Sequence, residues 1–101
     1  MMEKTKKKRQ KPTVMRADGT QDVLKDTKLK TLQDAVGGTI EIVQLGLRNR
    51  NFKGLIMIVN ENGISEHLPE NEKGTSMWIE AFGTCNPILG DIIICDERDV
   101  D

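Results

Sequence analysis

Apolar and polar positions follow two periods along the chain, one typical of strands and one typical of helices. Residues 39–45 (TIEIVQL) alternate loosely, residues 55–59 (LIMIV) are apolar throughout, and residues 88–95 (ILGDIIIC) are rich in isoleucine. These three segments predict strands, and 55–59 is expected inside the sheet because both of its faces are apolar. A shorter strand is predicted at residues 13–16 (TVMR), at a sheet edge, and Asp18-Gly19 predicts a tight turn after it.

Helical spacing is found over residues 29–36, where three apolar residues recur at intervals of three and four. A helix is predicted there, with its cap at Asp26 or Thr27 and its end at Gly37-Gly38, because glycine adopts the left-handed conformation that ends helices. The apolar stripe of this helix, which begins at Leu29, is expected to pack on the sheet.

The remaining segments are dense in turn-forming residues. Residues 60–63 (NENG) predict a turn that leads into a short strand at Ile64, so we expect a hairpin there. Residues 45–53 and 67–74 predict loops. A short helix is predicted over residues 77–82, capped by one of the two hydroxyl residues before it.

The resulting order of strand, helix, strand, strand, short strand, short helix, strand predicts an α+β fold. We expect a small mixed or mostly antiparallel sheet with one main helix and one short helix packed on it, both on one face. The domain is expected to span residues 13–95. Residues 1–12 are predicted to be a disordered basic tail, and residues 96–101 an acidic, frayed C-terminus.

Composition sharpens this picture through charge. The 101 residues carry a formal net charge of −1, with 37% hydrophobic and 3% aromatic residues. That is enough apolar material for one small domain and little for an aromatic binding platform. Six of the fifteen Lys and Arg residues lie in residues 1–12 beside one Glu, so a basic tail precedes an acidic body.

The sequence predicts an intracellular protein. No apolar run reaches the roughly 18 residues of a membrane span, and no apolar segment follows the basic start. Cys85 and Cys95 fit neither a metal knuckle nor a disulfide framework, so we expect reduced thiols. The expected location is the cytoplasm, or the nucleus if the host is eukaryotic.

Four short motifs follow one another along the chain: Val36-Gly37-Gly38 after a helix, Asn60-Glu61-Asn62-Gly63, Leu68-Pro69-Glu70-Asn71, and Gly90-Asp91 before an isoleucine run. With them the chain resembles, over residues 13–95, the family called domain of unknown function 3846. Its members are small proteins of phages, mobile elements, bacteria and some large DNA viruses. The basic tail and the loop 46–53 depart from the family pattern. The resemblance implies a fold and a viral or mobile-element setting, and it implies no activity.

Six polar side chains, five on predicted loops and turns and one on a predicted strand, are candidates for contact with a ligand or partner. Two arginines before Phe52 suit phosphate contacts and equally suit a solvated loop. The single histidine lies among carboxylates, and an aspartate within an apolar strand either accepts main-chain hydrogen bonds or lines a site. The asparagine of the Leu-Pro-x-Asn loop either stiffens a turn or holds a ligand. The candidates are Arg48, Arg50, Asn60, His67, Asn71 and Asp91.

The cations of the tail form a second group of candidates. They suit salt-sensitive binding to nucleic-acid phosphates, a nuclear address, or simple solvation. The residues are Lys4, Lys6, Lys7, Lys8, Arg9 and Lys11.

From these observations we expect a non-enzymatic binding module that engages a host protein or a small ligand through loops 46–53 and 65–75. The alternative is a nucleic-acid-associated accessory protein that binds phosphate through its tail. No combination of nucleophile, base and metal ligands is recognisable, so we expect no catalytic residue, cofactor or metal. The oligomeric state stays open, because an edge strand at residues 13–16 can pair with a second copy.

Overall fold

Five short strands pair side by side into one antiparallel sheet. A computed structural model describes residues 10–100, so most of the predicted disordered tail lies outside the described residues. The order across the sheet is β2-β1-β5-β4-β3, and every neighbouring pair is antiparallel. The strands are β1 (Thr13–Met15), β2 (Gln21–Val23), β3 (Ile40–Gln44), β4 (Leu55–Asn60) and β5 (Ile92–Asp96).

Two helices, α1 (Leu29–Val36) and α2 (Glu72–Phe82), cover opposite faces of this sheet. Ile56 and Ile58 of β4 pack in one buried cluster with α1, whereas Met57 between them packs in a second cluster with α2. Side chains alternate along a strand, so adjacent residues of β4 reach different faces. The prediction that both helices share one face is therefore wrong. Two central strands that are apolar on both faces need cover on both sides.

The α+β prediction and the interior position of residues 55–59 are confirmed, because β4 lies between β3 and β5. The relative lengths of the helices are reversed, since α1 has 8 residues and α2 has 11. The segment 13–16 is not an edge. It pairs with β5 on one side and, through the turn at Asp18-Gly19, with β2 on the other. The edges of the sheet are β2 and β3.

The hairpin predicted at residues 60–64 is absent, because residues 61–67 form a series of turns and Ile64 is 83% exposed. β4 already has a strand on each side, which leaves no free edge for a strand at Ile64. Its hairpin partner is β3, which precedes it in the chain. The predicted loop between those two strands contains two short 3₁₀ turns, Leu45–Leu47 and Arg50–Phe52.

Both helices begin at residues other than those predicted. The residue before α1 is Lys28, which makes no side-chain cap, and Leu29 is 58% exposed rather than part of the buried stripe. The predicted end of α1 is confirmed, with Gly37 in the left-handed region at φ 83°. α2 begins five residues before the predicted Met77, because Asn71 rather than a hydroxyl residue supplies its cap.

The last strand begins at Ile92 instead of residue 88, and the chain after it packs on the domain instead of fraying. Asp96 is buried and accepts hydrogen bonds from the main-chain N–H and the guanidinium of Arg98. These contacts close the 3₁₀ turn Glu97–Asp99, after which Val100 packs against the cluster under α1. The side chain of Asp96 thus provides the local order that the acidic composition did not predict.

Candidate functional site

The two loops predicted to form one binding surface lie at opposite ends of the sheet. Residues 45–54, here called the basic loop, precede β4, and residues 61–72, here called the acidic turn, follow it. The six residues of β4 separate them by ~20 Å at the rise of an extended strand. The structure therefore does not bring Arg48 and Arg50 together with His67 and Asn71.

The basic loop carries three cations and no carboxylate. Arg48, Arg50 and Lys53 are exposed, and the ion pairs found among residues 10–100 involve none of them. Lys53 was not among the candidates from the sequence, although the absence of any acidic residue between positions 45 and 54 was a usable signal. The loop therefore presents three cations that form no ion pair within residues 10–100, although exposed Glu97 lies beside it and donates its main-chain N–H to the carbonyl of Gly54 at 2.8 Å.

Internal hydrogen bonds hold the basic loop in place. The side-chain oxygen of Asn49 accepts from the N–H of Asn51 at 2.9 Å, and its Nδ2 donates to the carbonyl of Glu80 on α2 at 2.9 Å. At the two ends of the loop, buried Leu45 and half-buried Phe52 pack in the cluster under α2. Arg48 and Arg50 consequently project from a backbone that is fixed on both sides of them.

The N-terminal tail joins the fold at the same end of the sheet as the basic loop. Thr13 pairs with Ile94, Ile94 with Met57, and Met57 with Val43, just before β3 ends. Three strand spacings of ~4.8 Å separate Thr13 from Val43 by about 15 Å across the sheet, and Lys11 precedes Thr13 by two residues just as the basic loop follows Val43 by two. The other five candidate cations of the tail lie outside the described residues.

Asn60 and Asp91 are used to hold main-chain segments together. Nδ2 of Asn60 donates to the carbonyl of Val36 at 3.1 Å, and its side-chain oxygen accepts from Asn62 N–H at 2.7 Å. One carboxylate oxygen of Asp91 accepts from Ala17 N–H at 2.9 Å, which fixes the turn between β1 and β2. These contacts favour a structural role for both residues. Asp91 precedes β5 and does not lie inside it, as the sequence had suggested.

Asn71 joins three segments, namely β1, the first turn of α2 and residues 88–90. Its side-chain oxygen accepts from Gly74 N–H at 3.0 Å, and its Nδ2 donates to the carbonyls of Met15 and Gly90 at 2.9 Å each. Its main-chain N–H donates to the carbonyl of Ile88 at 2.7 Å. The residue is 1% exposed, and all the hydrogen-bonding groups of its side chain are engaged within the fold. A ligand would have to displace these bonds to reach it.

His67 lies in the acidic turn with a φ of 54° and an exposed side chain. Glu61 lines a cleft of about 380 Å³ beside this turn, and Asp91 lines a separate groove of about 600 Å³ between β2 and α1. His67 lines neither of them. These three groups, the best candidates for acid–base chemistry, are therefore not presented to one shared ligand.

The two cysteines differ sharply in access, and we predict that they differ in reactivity. Cys85 is exposed, whereas Cys95 on β5 is 0% exposed and burial raises its pKa to about 11. Because the thiolate is the reactive species, iodoacetamide at about pH 8 is expected to add one group, at Cys85. Mass spectrometry of the folded chain measures this, with the urea-unfolded chain as the control that takes two. Equal labelling of both thiols in the folded chain would contradict the closed packing of β5.

The described residues also match a known family. The model of the family described as a domain of unknown function, DUF3846, matches residues 10–101. The chain therefore belongs to this family, as its motifs indicated, and three of those motifs are the ones that hold Asn60, Asn71 and Asp91. Comparisons with curated proteins and with solved structures gave no match. Within residues 10–100 no helix has both the length and the apolar character to cross a membrane.

Proposed function

We propose that the chain is a small non-catalytic module that binds a phosphate-bearing polymer, a nucleic acid, through the basic loop and the N-terminal tail. One observation carries the proposal: a loop with three cations that form no ion pair within residues 10–100 lies at the sheet end where the basic tail joins the fold. Relative to the sequence expectation, the nucleic-acid alternative gains a second contact surface. The leading expectation, one binding surface formed by both loops, does not fit their positions at opposite ends of the sheet.

The spacing of charges suits a polyanion. Duplex DNA carries one negative charge per ~1.7 Å of axis, so cations ~15 Å apart meet phosphates of the same molecule. Nine residues of extended chain reach ~30 Å at most, which lets the tail cations and the basic loop bind neighbouring phosphates. The acidic turn, with Glu61, Glu66, Glu70 and Glu72, repels phosphate from the far end of the sheet. Glu97 lies beside the basic loop and opposes its cations, so the proposal requires the tail cations as well as the loop.

Fluorescence anisotropy with a labelled oligonucleotide tests the proposal on the full chain. The double variant R48Q/R50Q is expected to bind about tenfold or more weakly, and the slope of log affinity against log salt is expected to fall by about 2. The matched control K28Q/K73Q removes two exposed cations that also form no ion pair within residues 10–100, and it is expected to bind like the parent. Affinity that ignores salt, or equal losses in both double variants, would reject a role for the basic loop.

A second candidate function is supported by the cleft beside the acidic turn. It is lined by Glu41, Glu61, Asn62 and Asn86, which suit a small polar or cationic ligand or a basic segment of a host protein. A partner that is retained by R48Q/R50Q and lost by E41Q/E61Q would favour this function over nucleic-acid binding. The resemblance-derived setting, a virus or mobile element acting inside a host cell, is compatible with both.

A further inference from the structure

The two edges of the sheet are protected to different degrees. β2 has three residues, and its Asp22 forms an ion pair with Arg16 at 2.7 Å, so that edge is short and charged. β3 has five residues, a single charged side chain in Glu41, and neither proline nor lysine. Short length, charge and proline are the devices that keep sheet edges from pairing with other chains. β3 has almost none of them.

The hydrogen-bond phase of β3 shows which main-chain groups face outward. Glu61 N–H donates to the carbonyl of Thr39 at 2.9 Å, so Thr39 and every second residue after it bond toward β4. The intervening residues, Ile40, Ile42 and Gln44, direct their N–H and C=O groups away from the sheet. Ile42 occupies the middle of this outward-facing set.

This phase makes the edge complementary to itself. If two copies of β3 pair antiparallel about a two-fold axis at Ile42, each Ile42 exchanges two hydrogen bonds with Ile42 of the second copy. Ile40 and Gln44 of opposite copies likewise exchange two hydrogen bonds on each side of the axis, which gives six inter-chain bonds. Glu41 faces Val43 of the second copy, so no like charges are opposed.

The side chains beside β3 also favour such a pairing. Ile42 is 45% exposed and Leu29 is 58% exposed, and together they line a groove of about 420 Å³ between α1 and β3 whose wall also includes Asp26, Lys28 and Asp99. Antiparallel pairing places the two Ile42 side chains against each other on this face and removes them from water. The apolar contact adds to the hydrogen bonds of the joined edges.

Charge alignment is the third favourable feature. β3 runs from the end that holds the acidic turn to the end that holds the basic loop. In an antiparallel pair, the basic loop of each copy therefore lies at the same end of the joined sheet as the acidic turn of the other. A parallel arrangement would place like charges together, so electrostatics favours the antiparallel register.

We propose that β3 of one copy pairs with β3 of a second copy about Ile42, which produces a homodimer with one continuous ten-stranded sheet. Sedimentation velocity on the full, nuclease-treated chain, from micromolar to millimolar concentration, tests this. A mass of twice the 11.3 kDa chain is expected for the parent at the higher concentrations. A parent that remains a monomer throughout would overturn the proposal.

Two variants locate the interface. I42K places two like charges at the two-fold axis, and Q44P removes an outward N–H at a residue whose φ of −86° is close to that of proline. Each is expected to weaken dimerisation at least tenfold. The control I79K changes an isoleucine of matched exposure, 44% against 45%, on α2 and is expected to dimerise like the parent.

Circular dichroism melting of each variant distinguishes loss of dimerisation from loss of folding. Q44P removes no hydrogen bond to β4 and is expected to remain folded. A dimer that survives both I42K and Q44P in folded chains would overturn the proposal. Assemblies that grow without limit would do the same, since they would indicate open pairing of β2 with β3 rather than a closed two-fold.

Discussion

Replacing Asn71 with Ala is expected to lower the free energy of unfolding by about 3–5 kcal/mol, a large part of the roughly 5–15 kcal/mol that stabilises a small domain. The loss of the cap on α2 accounts for about 1 kcal/mol. The buried carbonyl of Gly90 and the part-buried carbonyl of Met15 also lose their donor, at about 1–2 kcal/mol each. The variant should therefore be close to the limit of stable folding.

Urea denaturation followed by the fluorescence of Trp78, the single tryptophan, measures this loss. N71S retains an oxygen that can cap α2 but supplies no second donor, so its loss is expected to be intermediate. N51A removes an exposed asparagine of the basic loop and is the control, with an expected change within about 0.5 kcal/mol.

A result for N71A within about 1 kcal/mol of the parent would mean that the junction of β1, α2 and residues 88–90 does not depend on this side chain. If binding to a partner were lost at unchanged stability, Asn71 would be a recognition residue instead. The hydrogen bonds of its side chain lead us to expect the opposite, with stability lost and the basic loop unaffected.

Features of the fold that depend on neighbouring residues could be predicted from the sequence. The turn at Asp18-Gly19 and the end of α1 at Gly37 follow from the left-handed conformations that glycine adopts. β2 could not be predicted, because Gln21–Val23 is polar and becomes a strand only by pairing with β1. The cap at Asn71 was available in principle, since asparagine is among the strongest capping residues, but the glycine at position 74 hid the helix.

The candidate site shows the same division. The basic loop was recognised from Arg48 and Arg50, whereas its separation from the acidic turn was overlooked although it follows from the predicted strand at residues 55–59. A strand between two loops places them at opposite ends of a sheet. A structural role was one of the two alternatives for Asn71 and Asp91, but the main-chain partners of Asn60, Asn71 and Asp91 could not be predicted, because they lie 19 to 74 residues away in the sequence.

The motifs that identify the family thus mainly stabilise the fold. Three of them supply a side chain that ties together main-chain segments at the end of the sheet that holds the acidic turn, so their presence specifies the fold and leaves the partner undetermined. The segments outside the motifs, the basic loop and the tail, carry the charges on which the proposed function depends. Under the proposed function, nucleic acid binds at one end of the sheet, whereas the motif side chains hold main-chain segments together at the other end.

The basic loop depends on a close backbone contact at Gly46, and G46A is expected to cost about 2–3 kcal/mol of stability. A Cβ at this position would lie 2.8 Å from Cα of Lys53 and 2.8 Å from the carbonyl oxygen of Phe52. Both are main-chain atoms that cannot rotate away, so the backbone at Gly46 and the backbone at residues 52–53 must move apart. Leu45 and Phe52 would then lose part of their packing under α2.

G54A is the matched comparison, because it alters the glycine at the other end of the same loop. Gly54 has a φ of 80° but open space around its added Cβ, so G54A is expected to cost only the strain of a left-handed residue, about 1–2 kcal/mol. Urea denaturation separates the two mechanisms, because the clash expected in G46A lowers the free energy of unfolding more than the backbone strain expected in G54A. Equal losses would show that the close approach at Gly46 is not maintained in solution.

The binding measurement adds a second, independent outcome. If Arg48 and Arg50 bind phosphate from a fixed backbone, opening the loop at Gly46 is expected to weaken oligonucleotide affinity in chains that are still folded, whereas G54A should bind nearly as the parent does. A folded G46A variant with parental affinity would mean that the cations act through charge alone, wherever the loop lies. Weaker affinity with an unchanged salt slope would mean that their placement matters as well as their number.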